Sequence, residues 1–195
     1  MVATSVAATS AAATGDRRRP RLTLTLRPGE FDGECRGGSY HHDVERRILG
    51  FESDEVGDWV AQLDCFHRRH VRHAPPFRMA SWVSDADERE QRLGTTLDCG
   101  LCDAAELPQG LGVVRTTAEW DEQSVPAALR RAHRVAAGTW GRIRVLDGRL
   151  QFRCATIPPI DVVVGAGESQ AIPPEVEHEV APVGSVRFCV DFLRR

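Results

Sequence analysis

The sequence predicts a mainly β protein, a sandwich or barrel in its second half behind a small Cys/His module. Three observations lead there. Beyond about residue 112 the apolar periodicity drops to two, as in Ile143 and Val145 alternating with Arg142 and Arg144. Gly- and Pro-containing turns separate these short alternating runs. Upstream lie two pairs of soft ligands, Cys65-x-His67 and Cys99-x-x-Cys102.

Composition bounds the partners. The 195 residues carry 25 Lys+Arg against 28 Asp+Glu, a formal net charge of −3, which supplies no global field for nucleic acid or an anionic membrane. No apolar run is long enough to span a bilayer as a helix, and no membrane partner is expected. The N-terminus lacks the long apolar core of a secretory signal, so a reducing cytoplasm is expected and Cys pairs read as metal ligands before disulfides. Residues 1–45, rich in Ala, Thr, Ser, Gly and Arg, read as a disordered or low-complexity extension, with an organelle transit peptide or an upstream start codon as alternatives.

Residues 46–104 form the predicted Cys/His module. The apolar runs 47–51 and 58–63 flank a polar, Gly57-containing turn, a hairpin signal. Pro75 and Pro76 stop any helix after the His67, His70, His73 stretch, and residues 84–92 have room for one or two helical turns. Cys65, His67, Cys99 and Cys102 follow predicted strand ends, where turns can present all four inward. Four protein ligands close a tetrahedral zinc site and leave no open position, so the metal expected is structural. A module this small has a marginal core that such a metal would stabilise. His70 and His73 are expected to serve as hydrogen-bonding supports or surface residues, with replacement of one ligand as the alternative. Arg68, Arg69 and Arg72 make only a weak phosphate-binding edge.

The stretch 103–112, with Pro108, Gly110 and Gly112, reads as a linker to the second domain, 105–195. There, runs 142–145 and 150–154 flank Asp147-Gly148 and predict a two-stranded hairpin. Asp161 to Val164 and the alternating run 186–192 add strands, with Gly165 and Gly167 turning the chain. A short helix is expected at residues 125–132, with Ser124 as N-cap and Pro126 in the first turn. By parity Cys154 is buried and Cys189 exposed. Arg142, Arg144, Arg153 and Arg187 share the face opposite the apolar positions, solvent-facing unless the sheet curls them into a mouth able to bind an anion.

Two resemblances add to this reading. Gly50, Phe51, Asp58, Trp59, Val60, Ala61, Leu63, Cys65, His67, His70, Arg72, His73, Pro75, Pro76, Trp82, Val83, Arg92, Gly94, Cys99, Cys102 and Asp103 resemble the pattern of a small bacterial Cys/His domain of unknown function, with Phe66 and Glu88 where that pattern has Gly. Val125-Pro126-Ala127, His133, Ala137-Gly138-Thr139-Trp140-Gly141, Val145-Leu146-x-Gly148-x-Leu150, Pro173-Pro174-x-Val176-x-His178-x-Val180 and the 186–192 run resemble the TehB/YeaR-like domain of tellurite-resistance-related proteins. The second resemblance implies a cupin-like double-stranded β-helix barrel, preceded by a zinc-ribbon-like α+β module.

General cupins hold metal on two His and a Glu before a Val-Leu-x-Gly turn and a later His after Pro. This chain keeps Val145-Leu146-x-Gly148 and the Pro173 to His178 spacing but has Trp140, Gly141 and Arg142 where the glutamate would fall. A three-His-one-Glu site is excluded. His133 and His178 with Glu175, or with Glu177, stand as the candidate ligands of a second divalent metal in the barrel. The expected function is a metal- and small-ligand-binding stress-response protein without a methyltransferase, because no Gly-rich nucleotide loop follows a strand. The alternatives are a small metal-dependent, oxygenase-like cupin enzyme and a zinc-ribbon adaptor for nucleic acid or protein. The ligand would be a small molecule or anion, and the 186–192 strand is the expected edge of a homodimer.

Overall fold

A computed structural model describes residues 44–71 and 80–195, all within the compact unit Tyr40–Arg195. The reading of residues 1–45 as an extension falls almost wholly outside the described residues, as do Cys35, Arg72, His73, Pro75 and Pro76. Among the described residues no helix is long and apolar enough to cross a membrane.

The structure is mainly β, with a curled antiparallel sheet. The first sheet has the order β3-β2-β1-β4, from β1 (Glu45–Ser53), β2 (Trp59–Leu63), β3 (Arg68–Val71) and β4 (Thr96–Asp98). β1 and β2 form the expected hairpin, with Ser53 opposite Trp59. Asp54 closes its turn by accepting the N–H groups of Val56 at 3.0 Å and Asp58 at 2.8 Å. The helix expected at 84–92 is α1 (Ala86–Gln91), preceded by a 3-10 turn, Ser81–Ser84. Asp85 caps it by accepting the N–H of Glu88 at 2.9 Å, so the glutamate that departs from the resembled pattern sits in a helical first turn, where an acidic side chain suits the helix dipole.

A short helix, α2 (Gly100–Asp103), leads toward the second sheet. The 103–112 segment is not a free linker. Leu107 and Leu111 pack on a core, and the buried Asp103 accepts the N–H of Val44 at 3.1 Å and of Ile157 at 3.0 Å, tying the two sheets' connections together.

The second sheet is built on two long bent strands, β7 (Trp140–Cys154) and β10 (His178–Arg194), paired along their length. The first half of β7 also pairs with β9 (Ser169–Ile172) and its second half with β8 (Ile160–Gly165), while β10 takes β5 (Gly112–Thr116) and β6 (Trp120–Asp121) on its other side. The expected hairpin at Asp147-Gly148 is therefore a bend within one strand. Gly148 adopts φ +72° opposite Val186, where register shifts in β10, and a Cβ there would collide with the Ser185 carbonyl. The 186–192 strand lies between β7 and β5/β6 and so offers no free edge for dimerisation; β5 and β8 are the ends of the strand path.

The helix expected at 125–132 does not form. Ser124 is held in the Asp121 turn, donating to Asp121 Oδ1 at 2.7 Å, and the segment that follows turns through i to i−3 bonds. Its backbone is then taken by β10: Val180 N donates to Leu129 O, and His133 and His178 exchange both backbone bonds. Tertiary pairing overrides local propensity here.

Two cores result. One lies inside the curled sheet, around Ile143, Leu150, Phe152, Phe188 and Val190. The other joins Ile48 and Leu63 of the first sheet and Val83 of the 3-10 turn to Trp140 and Leu193 of the second sheet. Trp140 is fully buried, and its indole N–H donates to the Cys65 carbonyl at 2.8 Å.

Candidate functional site

The four predicted ligands come together. Two tight turns present them. In the first, Phe66 N bonds Leu63 O and Leu63 N bonds His67 O; in the second, Cys102 N and Asp103 N both bond Cys99 O as α2 begins. Phe66 stands at φ +70°, the left-handed conformation that explains why the resembled pattern has Gly there. The cost for a side chain is roughly 1–2 kcal/mol, offset in part by packing of the ring on the second core.

Cys65, His67, Cys99 and Cys102 are all buried, with their ligand atoms within 4.8 Å of one another. His67 Nδ1 lies 3.6 Å from Cys65 Sγ, 3.3 Å from Cys99 Sγ and 3.6 Å from Cys102 Sγ, and Cys65 Sγ lies 3.8 Å from Cys99 Sγ. His67 Nε2 is 3.0 Å from the Glu106 carbonyl. A carbonyl only accepts, so Nε2 carries the proton and the Nδ1 lone pair faces the three sulfurs. That is the tautomer a metal needs, held by a partner outside the ligand set. The cluster could bind a metal such as zinc.

Electrostatics in the cluster agree. Hydrogen bonds from Cys102 and Cys65 hold the Cys99 thiol far below its ordinary range, while bonding to Cys65 and Cys99, together with burial, pushes Cys102 up. One pocket resists several thiolates unless a cation joins them. Arg46 went unnoticed in the sequence. It is buried on β1, donates Nε to Cys102 Sγ at 3.3 Å and Nη2 to Pro174 O at 2.5 Å, and lies 3.8 Å from Glu175. A buried arginine inside a strand carries no sequence signal, because its parity is that of a core residue.

His70 is half exposed beside Asp54, 3.5 Å away, on the far strand of the first sheet. Arg68 pairs with Glu52 at 2.5 Å, and Arg69 donates to the Asp98 carbonyl, so both guanidinium groups are engaged within the module.

In the curled sheet, His133 and His178 are brought together, ring centroids 4.1 Å apart. Their Nδ1 atoms lie 2.9 Å from Arg131 O and 3.0 Å from Val176 O, so each ring donates from Nδ1 and keeps an Nε2 lone pair. The carboxylates expected to join them do not. Glu175, at φ +55°, turns toward Arg46, and Glu177 pairs with Arg134 at 3.2 Å. Among the described residues, no cluster of three metal-ligating side chains contains His133 or His178. Both rings line an apolar cavity of about 430 Å³, walled by Trp120, Leu129, Ile143, Ile172 and Phe188.

Burial, with the charge of His133 adding, pulls the pKa of His178 down to about 4 from 6.5. Between those values the unfolded chain binds the extra proton. The stability contributed by neutral His178 is therefore complete above about pH 6.5 and lost as pH falls toward 4, an effect of about 3 kcal/mol. Denaturant unfolding at pH 7 and pH 4.5 should show that loss in the wild type and a smaller one in His178→Leu; equal losses would reject it.

The arginine face is mostly neutralised. Arg142 and Arg144 bind the buried Asp191 at 2.8 and 2.9 Å, Arg153 bridges Asp161 and Glu179, and Arg187 meets Glu119. Cys189, expected to be exposed, is buried at 3 % exposure on this face, opposite Arg144 in register and next to the Asp191 network. Cys154 is buried as its parity predicts.

Residues 115–190 match the TehB-like domain family, and residues 49–106 match a family described as a protein of unknown function (DUF3565). Among solved structures, a protein from E. coli (strain K12) is 24% identical with a TM-score of 0.41, over 45% of this chain and 94% of that one. TehB from Haemophilus influenzae is 20% identical with a TM-score of 0.41, over 45% of this chain and 32% of that one. Hydroxypropylphosphonic acid epoxidase from S. wedmorenis is 17% identical with a TM-score of 0.31, over 37% of this chain and 40% of that one. No curated protein matches.

Proposed function

We propose that this chain is a zinc-stabilised small-ligand-binding protein related to tellurite resistance, in which the metal is structural and the curled sheet holds the ligand. The observation that carries this reading is the separation of the two sites. None of Cys65, His67, Cys99 and Cys102 lines the apolar cavity, so a metal held by them would not meet what the cavity holds. Three thiolates and one imidazole fill a tetrahedral zinc shell, which supplies folding free energy rather than an open position for chemistry. The set would leave one net negative charge around a dication, and Arg46 stands beside Cys102 to offset it.

The TehB-like match supports the link to tellurite resistance, and the cavity volume lies within the roughly 300–1,000 Å³ of small-molecule sites. Elemental analysis of the purified chain tests the proposal: about one zinc per chain is expected, kept in His178→Ala and lost in Cys99→Ser. A second metal, iron above all, that disappears only with His178→Ala would replace this reading with a metal-dependent enzyme.

A further inference from the structure

We infer that the cavity of the curled sheet takes an anionic amphiphile, an apolar body carrying a single carboxylate-type head held by Arg115 and Arg194. The inference rests on the ligand-binding reading and assigns that site its ligand class. The apolar body follows from the walls, where Trp120, Ile143, Ile172 and Phe188 offer hydrocarbon and ring surface to whatever enters.

The sign of the head follows from the charges. Every charged side chain lining the cavity is an arginine, namely Arg115, Arg134 and Arg194, in a chain whose net charge is −3. Arg134 is matched by Glu177 at 3.2 Å. The other two differ from Arg142, Arg144 and Arg153 of β7 and Arg187 of β10, each of which meets a carboxylate. Arg115 instead lies over the Phe192 ring at 4.7 Å, and Arg194 donates Nε to Thr139 Oγ1 at 2.8 Å. Neither has a carboxylate partner among the described residues.

The fold puts these two guanidinium groups on neighbouring strands. Arg115 pairs in register with Phe192 and Arg194 with Gly112, across the β5–β10 ladder, and both line the same cavity. Planar guanidinium groups beside an apolar cavity suit a carboxylate, which can accept paired N–H donors while its hydrocarbon leaves water.

Isothermal titration of the full chain with decanoate and with 1-decanol tests this, because the two share a tail and differ in head charge. Decanoate is expected to bind at least about tenfold tighter at low salt, an advantage that shrinks as salt rises. In Arg115→Met/Arg194→Met that advantage should vanish while decanol affinity stays unchanged. Equal affinity of both probes for the wild-type chain would overturn the anionic head and leave the cavity reading standing. Failure of both probes to bind would overturn the two together. The wild-type comparison and its salt series decide the matter even if the double variant does not fold.

Discussion

Cys102→Ser is expected to abolish cooperative melting near the wild-type temperature, with loss of the bound metal. Structural zinc contributes roughly 10–16 kcal/mol in zinc-finger peptides, whereas whole domains are stable by only about 5–15 kcal/mol. A site of that strength cannot be removed from a unit of this size without unfolding much of it. Cys102 has no exposure to fall back on: its sulfur is buried beside His67 Nδ1 and accepts from Arg46. Because the core around the cluster also contains Trp140 and Leu193, the curled sheet should lose stability with the first sheet. Calorimetry of wild type, variant and chelator-treated chain would check this. A variant that melts within a few degrees of the untreated wild type would remove the structural metal.

Trp140→Ala is expected to cost about 3–5 kcal/mol, the range for truncating a large buried aromatic. Trp140→Phe should cost less, roughly 1–3 kcal/mol, chiefly because the Cys65 carbonyl loses its buried donor. The indole also packs on His67 in a T-shaped pair, with ring centroids 5.3 Å apart at 77°, so Trp140→Ala should bind metal more weakly as well. Denaturant unfolding gives the stability, and a competition titration against a metallochromic chelator gives the affinity. Unchanged metal affinity in a destabilised Trp140→Ala would mean that the tryptophan acts on packing alone.

The Cys/His cluster was legible because its chemistry is local. Cys65-x-His67 and Cys99-x-x-Cys102 each occupy one tight turn, and the rarity of soft ligands makes their convergence readable from spacing. The β1–β2 hairpin was legible for the same reason, since Asp54 and Gly57 act on backbone groups a few residues away. Phe66 was seen as an oddity, and only its φ of +70° gave the reason.

What misled was sequence whose outcome depends on distant partners. Asp147-Gly148 has the chemistry of a turn, but β10 pairs on both sides of it and draws the chain into one bent strand. Residues 125–132 have the chemistry of a helix start, but Leu129 and His133 bond β10 instead. Glu175 stands three residues from His178 and is turned to Arg46, a residue more than a hundred positions away in the chain.

By itself the sequence determined the β class, the four Cys/His side chains and the alternation that buries one face of β7, because ligand chemistry, turn chemistry and side-chain parity act over a few residues. Tertiary structure alone decided that Arg46 and Trp140 support the cluster, that His133 and His178 meet without a carboxylate, and that two arginines face the cavity without an acidic partner. Those outcomes depend on which strands pair and where they bend, and long-range burial and backbone pairing set both.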